Sequence, residues 1–218
     1  MKIINLQENP SLASQYMAEL RNVNVQTDRM RFRRNVHRIG QIMAYEISKT
    51  IAYTKMAVTT PLGTAYCDTV GSDVVIATIL RAGLPLHEGL LSFFDNAENA
   101  FVSAYRKYRE GTDEFDIHIE YLASPSIEGK TLILADPMLA TGSSMELALK
   151  ALLTKGNPAH IHVVSVIASR QAVDFIAGKL PADRTTLWVA AIDDELNAHS
   201  YIVPGLGDAG DLAYGEKE

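Results

Sequence analysis

The 218-residue chain has very little cysteine and no long apolar run. Its single cysteine, Cys67, cannot form an internal disulfide, and the first residues contain no secretory apolar segment. No stretch approaches the roughly 18 consecutive apolar residues that cross a bilayer. From these absences we expect a protein of the reducing cytoplasm with no membrane partner.

Positive charge is also scarce. Lysine and arginine total 20 against 26 aspartates and glutamates, which gives a net charge of −6. A protein whose main partner is nucleic acid usually presents a broad basic surface, so we expect no nucleic-acid partner. Basic residues do cluster at 29–38 and at 106–109. For the first cluster, a solvent-facing or subunit-facing helix surface and a phosphate site both remain open.

Apolar sequence is abundant: it makes up 47% of the chain, without an internal repeat or a long Pro/Gly linker. We therefore expect one domain over residues 1–218. Near-continuous Val/Ile/Leu runs alternate with helical patterns, which predicts an α/β fold with an open, mostly parallel sheet flanked by helices. The predicted strands are 73–80, 100–105, 118–121, 130–135, 161–167 and 185–191, and the predicted helices are 32–47, 84–94, 144–153 and 171–178. The polar stretch 104–123 predicts an antiparallel hairpin or flap.

One segment, residues 132–144, combines an apolar run, a single acid and a small-residue loop that leads into a helical pattern. The unpaired N–H groups of a helix N-terminus, here residues 140–144, can surround a phosphate. The acid, Asp136, is suited to accept hydrogen bonds from the vicinal hydroxyls of a sugar. A P-loop is excluded because no Gly-Lys-Ser/Thr follows, whereas a buried strand with an ordinary turn remains the alternative. The order of these features favours a ribose-phosphate site.

Two arginines follow other predicted strands. Arg81 precedes Gly83, and this glycine lets the backbone turn sharply towards a ligand. The Arg81 guanidinium offers a planar fork of donors for a diphosphate. Arg106 follows the next strand and reaches the same diphosphate if a flap closes, the alternative being a charge on a surface hairpin. The two arginines and the Asp136 segment together predict two separate anion sites.

The C-terminal stretch contains a misleading motif. Gly205, Gly207 and Gly210 spell Gly-x-Gly-x-x-Gly, but the dinucleotide-binding fingerprint also needs a following helix and an acid about 20 residues on. Only eight residues follow Gly210, so we reject that interpretation. A glycine-rich loop with exposed backbone donors and acceptors remains, suited to reading the edge of a small flat base. A disordered tail is the alternative.

Taken together, three segments resemble the uracil phosphoribosyltransferase family of type I phosphoribosyltransferases: 80–83, 136–142 and 201–211. The similarity extends from Arg29 to Gly215. Pro137 is typical of the uracil enzymes, since many other type I enzymes have a second acid there. The chain departs from the family pattern at Ser143, at Ser200, where glycine is usual, and in its ending at 212–215.

The resemblance implies that uracil and phosphoribosyl diphosphate (PRPP) give UMP and diphosphate, a pyrimidine salvage reaction that uses Mg²⁺. It implies catalytic roles for Arg81, Arg106, Asp136 and Asp208. The same four residues would bind PRPP together with Pro137, Met138, Leu139, Ala140, Thr141, Gly142, Ser143 and Ser144. Uracil would be bound by Ile202, Gly207, Asp208 and Ala209. Mg²⁺ would be held mainly by PRPP, with Asp208 as a further candidate ligand and as a candidate base.

A homo-oligomer and a GTP effector are further expectations from the resemblance. The oligomer is also favoured by the arginine-rich helix, which has no evident acidic partner nearby in sequence. Two alternatives stay open. A PRPP or nucleotide sensor without catalysis is disfavoured by the intact set of charged residues, and an enzyme acting on a purine or orotate is disfavoured by the C-terminal loop.

Overall fold

The computed structural model describes residues 1–108 and 115–216, without the side chains of residues 104–119. Its strands are β1 (Lys2–Asn5), β2 (Tyr53–Thr60), β3 (Gly63–Val70), β4 (Val74–Leu80), β5 (Glu98–Tyr108), β6 (Phe115–Ala123), β7 (Thr131–Ala135), β8 (Met138–Leu139), β9 (His160–Ser169), β10 (Thr185–Asp193), β11 (Glu195–Leu196) and β12 (Ile202–Val203). Its α-helices are α1 (Leu12–Arg21), α2 (Arg29–Ser48), α3 (Leu84–Leu91), α4 (Ser143–Leu152), α5 (Arg170–Lys179) and α6 (Ala209–Tyr214).

The main sheet has the strand order β1-β10-β9-β7-β4-β5-β6, with β8 added beside β9. All neighbouring strands in it run parallel except β5 and β6, which form an antiparallel pair. The predicted open, mostly parallel sheet is therefore confirmed. Of the hairpin or flap predicted over 104–123, the antiparallel pairing of β5 with β6 is confirmed, and residues 109–114 lie outside the described residues. Parallel neighbours place their C-terminal ends at one edge of the sheet, which is where ligands bind in folds of this kind.

Two apolar layers cover the sheet. The central strands β4, β7 and β9 are buried almost throughout because helices lie on both of their faces. Alternate residues enter opposite layers: Ile76 packs in the layer that contains α2 and α3, and Val75 packs in the layer that contains α4 and α5. The continuous apolar runs of the sequence are thus explained by burial on both faces.

The long helix α2 buries the predicted apolar stripe, including Phe32, Ile39 and Met43. Its first turn is capped by Asp28, whose carboxylate accepts a hydrogen bond from the Arg31 N–H at 3.0 Å. The arginine-rich face does have an acidic partner, contrary to our reading of the sequence: Glu19 of α1 binds the Arg31 guanidinium at 2.8 and 2.9 Å. Among the described helices, none has both the length and the apolarity needed to cross a membrane.

Several elements have no counterpart among the predicted strands and helices. The β2–β3 hairpin escapes a periodicity search because both of its faces are largely exposed, including the large side chains Leu62 and Tyr66. The C-terminal segment is not only the irregular loop that we predicted: it contains β11, β12 and α6. Helix α6 forms because the Asp208 carboxylate accepts a hydrogen bond from the Asp211 N–H at 3.0 Å, as a helix N-cap does.

Candidate active site

Two of the three predicted segments leave the same edge of the sheet from neighbouring strands. Residues 81–83 follow β4, residues 136–142 follow β7, and these strands pair in parallel from Val74 to Thr78. The Thr78 hydroxyl donates a hydrogen bond to the Ala135 carbonyl oxygen at 3.1 Å, which joins the two strands where their loops begin. The predicted neighbourhood of the Arg81 and Asp136 segments is present in the structure.

The loop after β4 is packed too tightly for any residue but glycine at Gly83. A Cβ atom at Gly83 would lie 2.0 Å from Thr78 Oγ1 and 2.6 Å from the Ile79 carbonyl oxygen. It would also lie 3.4 Å from the Ala135 carbonyl oxygen, at the end of the neighbouring strand. The backbone at Gly83 therefore approaches the end of the sheet closely, and its predicted approach to a ligand stays a prediction.

Arg81 connects this loop to the C-terminal segment. Its Nη2 atom donates hydrogen bonds to Asp211 Oδ1 at 2.8 Å and to the Gly215 carbonyl oxygen at 2.7 Å. Its Nε atom is buried and has no hydrogen-bond partner within the described part of the chain. Since an unpaired buried donor is costly, the Arg81 guanidinium has capacity for an anionic ligand.

Asp136 lies at the C-terminal end of β7, partly buried. Its carboxylate accepts a long hydrogen bond of 3.4 Å from the Met138 N–H. Burial raises the pKa of the Asp136 carboxyl to about 7, and the Met138 N–H lowers it only slightly. The carboxylate retains acceptor capacity that the protein does not fill, which suits it to neutral hydroxyl donors.

The wall of the loop beyond Asp136 is fixed by the sheet. The Pro137 carbonyl oxygen accepts hydrogen bonds from Val166 at 3.1 Å and Ile167 at 3.0 Å, and the short strand β8 continues the pairing with β9. Leu139 is buried, whereas Met138 is half-buried and faces the C-terminal segment. Residues 137–139 therefore form a rigid support for residues 140–144, the predicted phosphate site.

Residues 140–144 are themselves held at Ala140 by a serine that our site prediction did not include. The Ser169 hydroxyl donates a hydrogen bond to the Ala140 carbonyl oxygen at 2.5 Å and accepts one from the Ala172 N–H at 2.9 Å, which caps α5. The cap has a sequence signal, since serine precedes the predicted helix at 171–178. Its bond to Ala140, 29 positions away, has none.

The turn into α4 requires a glycine. Gly142 has φ +85°, and a Cβ atom there would lie 2.8 Å from the ring of Phe175. Helix α4 begins at Ser143, one residue before the predicted start, and the Ser143 N–H donates to Thr141 Oγ1 at 3.4 Å. The N–H groups of the first helical turn, which includes Ser144, have no partners within the helix.

The third predicted segment meets the other two. The Ala209 N–H donates to the Met138 sulfur at 3.3 Å. A Cβ atom at Gly210 would lie 3.2 Å from Asp208 Oδ1 and 3.8 Å from Arg81 Nε. The Asp208 carboxylate and the Arg81 guanidinium therefore both lie next to Gly210. The structure therefore brings together the three segments that the sequence analysis selected separately.

An open cavity of about 570 Å³ lies beside this junction. Gly207 and Asp208 line it and are exposed, although residues 205–206 and 209–210 on either side are buried. Gly207 has φ +94°, a conformation that favours glycine. The cavity is also lined by Gln26 and Arg29, which sequence reasoning did not connect with a base.

Two further predictions concern Arg106 and the metal. The backbone of Arg106 belongs to β5, but its side chain lies outside the described residues, so its predicted role stays a prediction. Among the described residues, no group of three or more His, Cys, Asp or Glu side chains comes together as a metal centre. A metal ion at this site would need most of its ligands from a substrate or from water.

Comparison with known proteins matches the sequence of this chain to one family. A family model described as uracil phosphoribosyltransferase matches residues 8–216. A uracil phosphoribosyltransferase from Porphyromonas gingivalis is 63% identical over 217 residues, with 100% of both chains covered. Another from Pyrobaculum arsenaticum is 43% identical over 205 residues, which cover 93% of this chain and 94% of that one.

A solved structure agrees with the sequence comparisons. The AQ2163 protein from Aquifex aeolicus has a TM-score of 0.85 against this chain at 31% identity, and the match covers 98% of each chain. Both kinds of similarity run through all three converging segments.

Proposed function

The chain belongs to the uracil phosphoribosyltransferase family, and from this premise we propose which of its residues bind each part of the substrates. Members of the family transfer the phosphoribosyl group of PRPP to uracil, and this chain is such an enzyme. The observation that supports our assignment is the convergence of the Arg81 loop, the Asp136 loop and the C-terminal segment. Each carries groups suited to a different part of the two substrates.

The 5′-phosphate and the ribose are assigned to the loop after β7. The N–H groups of residues 140–144 at the start of α4 surround the phosphate, where the helix dipole also favours negative charge. Asp136, with its unfilled acceptor capacity, binds the ribose hydroxyls. Pro137, Met138 and Leu139 support this loop through the pairing with β9.

The diphosphate is assigned to Arg81, together with Arg106 from β5. Loss of diphosphate leaves positive charge on the ribose C1 atom and adds negative charge to the leaving group. Donors that are already in place stabilise that developing charge without reorganisation. The Arg81 guanidinium, held in place by Asp211 and the Gly215 carbonyl oxygen, supplies such donors.

A magnesium ion fits this site only as a companion of PRPP. Mg²⁺ keeps several waters and takes one or two protein carboxylates besides substrate phosphates. Asp208 has a suitable carboxylate, since among its described contacts only Oδ1 is used, to cap α6. When bound, the ion supplies charge neutralisation for the departing diphosphate.

Uracil is assigned to the C-terminal segment. Its O2, N3–H and O4 edge presents an acceptor, a donor and another acceptor, which backbone groups of Ile202, Gly207 and Ala209 can match. The Ala209 N–H is bound to the Met138 thioether, a weak acceptor that a uracil oxygen can replace. Asp208 is exposed in the same cavity and remains the candidate base.

A homo-oligomer is also part of the proposal. Large apolar side chains are exposed on the β2–β3 hairpin, with Leu62 100% and Tyr66 77% accessible, and such patches mark interaction surfaces. We also propose a GTP effector, because the exposed Arg34 lines a separate open cavity on α2 together with Arg33 and His37. We place the enzyme in the cytoplasm, supported by its lone cysteine. We treat residues 1–218 as one domain, because one main sheet takes its strands from the whole stretch between β1 and β10 in sequence.

A nucleobase panel tests the assignment of substrates. The purified chain is incubated with PRPP and each of uracil, cytosine, orotate and hypoxanthine, with and without Mg²⁺, and nucleotide products are separated by chromatography. We expect UMP from uracil with Mg²⁺. Cytosine should fail because it places a donor against a donor and leaves buried groups unpaired. A product from hypoxanthine or orotate at the uracil rate would contradict the base assignment.

Sedimentation tests the oligomer. We expect a species of at least twice the monomer mass at micromolar concentration, and Leu62→Lys in the exposed hairpin should reduce it. A single monomeric species of the unchanged chain would contradict this part of the proposal.

A further inference from the structure

The backbone of Gly205 is held on both sides of its Cα atom by a partly buried ion pair. Its carbonyl oxygen accepts a hydrogen bond from Arg21 Nη1 at 2.9 Å, and its N–H donates to Asp193 Oδ2 at 2.9 Å. Arg21 and Asp193 bind each other through two further hydrogen bonds, both 2.7 Å long. Four charge-assisted hydrogen bonds therefore join three chain segments at one residue, Gly205.

The pair is built on rigid elements. Arg21 is the last residue of α1, and Asp193 is the last residue of β10 in the main sheet. The Asp193 side chain is only 7% exposed. Its burial favours the neutral acid, but the hydrogen bonds from Arg21 and Gly205 outweigh burial and hold the pKa of the carboxyl below its usual value. Asp193 is thus an ionised, fully engaged carboxylate at neutral pH.

Position 205 requires a glycine. It has φ +59°, and a Cβ atom there would lie 2.0 Å from the Ile202 carbonyl oxygen. Two residues later the chain reaches Gly207, exposed in the cavity that we assign to uracil. Gln26 extends the contact, because its Nε2 atom donates to the Arg21 carbonyl oxygen at 3.2 Å while its side chain lines the same cavity.

We propose that Arg21 and Asp193 are positioning residues for uracil: by fixing the backbone of Gly205 on both sides they aim the backbone groups of Gly207 at the base. This inference rests on the proposed function, which places the base in the C-terminal segment. Neither side chain contacts the Asp136 loop in the described structure, so the pair acts on uracil and leaves PRPP binding unchanged.

A second ion pair on the same helix provides a matched control. Glu19 of α1 binds Arg31 of α2 through two hydrogen bonds of 2.8 and 2.9 Å, so it too is a bidentate carboxylate–guanidinium pair. It joins two helices and contacts none of the three site segments. Breaking it changes the packing of α1 without touching Gly205.

The experiment compares Asp193→Asn and Arg21→Lys with Glu19→Gln and with Gly207→Val, which perturbs the proposed base site directly. Uracil KM and kcat are measured at saturating PRPP, and the PRPP dissociation constant is measured by calorimetry. We expect Asp193→Asn to raise uracil KM by about tenfold or more, since a charge-assisted bond to the loop is lost, with PRPP affinity within about twofold of the unchanged chain. Arg21→Lys keeps the charge but loses the planar fork, so its KM should be intermediate.

The outcomes separate this inference from the assignment on which it rests. If Gly207→Val raises uracil KM while Asp193→Asn and Arg21→Lys leave it normal, the positioning role is overturned and the base assignment stands. Normal uracil KM in all these variants would show that uracil does not bind at the C-terminal segment, and would contradict both the base assignment and this inference. A raised KM in Glu19→Gln, or an equal loss of PRPP affinity in the Asp193 variant, would show a general structural role and also overturn the inference. Should Asp193→Asn not fold, Arg21→Lys decides.

Discussion

The loop that follows β7 and the segment from residue 193 to residue 215 meet at one site but are held by different forces. The first is the end of a strand buried on both faces, and its carbonyl groups pair with β9. The second has short strands, backbone in the left-handed region, and polar contacts such as the one between Arg21 and Asp193, 172 positions apart. Under our assignments, phosphate binding is built into the core of the sheet, whereas base binding depends on contacts between residues far apart in sequence.

This contrast predicts that the two functions can be damaged separately. A change in the loop after β7 should affect PRPP, and a change in the C-terminal segment should affect uracil. Two residues cross this division: Arg81 lies after β4 and contacts Asp211 and Gly215, and Asp208 lies in the C-terminal segment although we assign it to the Mg²⁺ that accompanies PRPP.

The largest effect is expected for Asp136→Asn. The amide is nearly the same size but a weaker acceptor for ribose hydroxyls, and one charge-assisted hydrogen bond is worth roughly 1.5–3 kcal/mol, or about 10- to 150-fold in rate. Steady-state kinetics should show that loss in kcat/KM for PRPP. The matched control is Asp183→Asn, at an exposed aspartate in the turn before β10, which should leave the kinetics normal. Unchanged kcat/KM in the Asp136 variant would remove this residue from the site.

A smaller effect, of about tenfold, is expected for Arg81→Lys. An ammonium keeps the charge but loses the planar fork, so it cannot bind Asp211, the Gly215 carbonyl oxygen and a diphosphate together. Inhibition by diphosphate measures the loss. Because Arg81 contacts the C-terminal segment, uracil KM should rise as well, unlike in the Asp136 variant. Equal diphosphate inhibition of the variant and the unchanged chain would contradict the assignment.

Asp136 should also affect stability, in the opposite direction to activity. Burial raises the pKa of its carboxyl to about 7, so the folded state binds more protons than the unfolded state between about pH 4 and pH 7. The free energy of unfolding contributed by this group therefore falls as pH rises through that window. We expect Asp136→Asn, without ligands, to be more stable than the unchanged chain by about 1–3 kcal/mol above pH 7, with the gap closing towards pH 4. Urea midpoints measured from pH 5 to pH 8 test this, and a gap that grows towards acid would contradict it.

The sequence could predict the loop after β7 better than it could predict the contacts of the C-terminal segment. Asp136 and Gly142 follow an apolar run whose burial and turn chemistry are local, so their pattern could be read directly. Ser169, Arg21 and Asp193 could not be found this way, because their importance comes from partners distant in sequence. Helix α6 was missed because its length, six residues, is too short to show a periodic pattern.

Ser200 is expected to give the smallest effect. Its φ is +61°, which explains why glycine is usual in the family at this position. Ser200→Gly removes a left-handed strain of about 1 kcal/mol, partly offset by the greater freedom of glycine in the unfolded chain. Urea unfolding should show a small gain in stability with uracil KM unchanged, whereas Ser200→Ala, which keeps the strain, should show no gain. A loss of stability in the glycine variant would contradict the argument.

The central claim is that uracil is read by the backbone around Gly207, separately from the PRPP loops. The most direct test is a paired measurement on Gly207→Val, whose branched side chain resists φ +94° and adds bulk towards the cavity. PRPP affinity is measured by calorimetry, and UMP formation is measured across uracil concentrations. We predict PRPP affinity within about twofold of the unchanged chain and a loss of uracil-dependent rate of about tenfold or more. Normal uracil kinetics in this variant would show that the base is read elsewhere and would contradict the account.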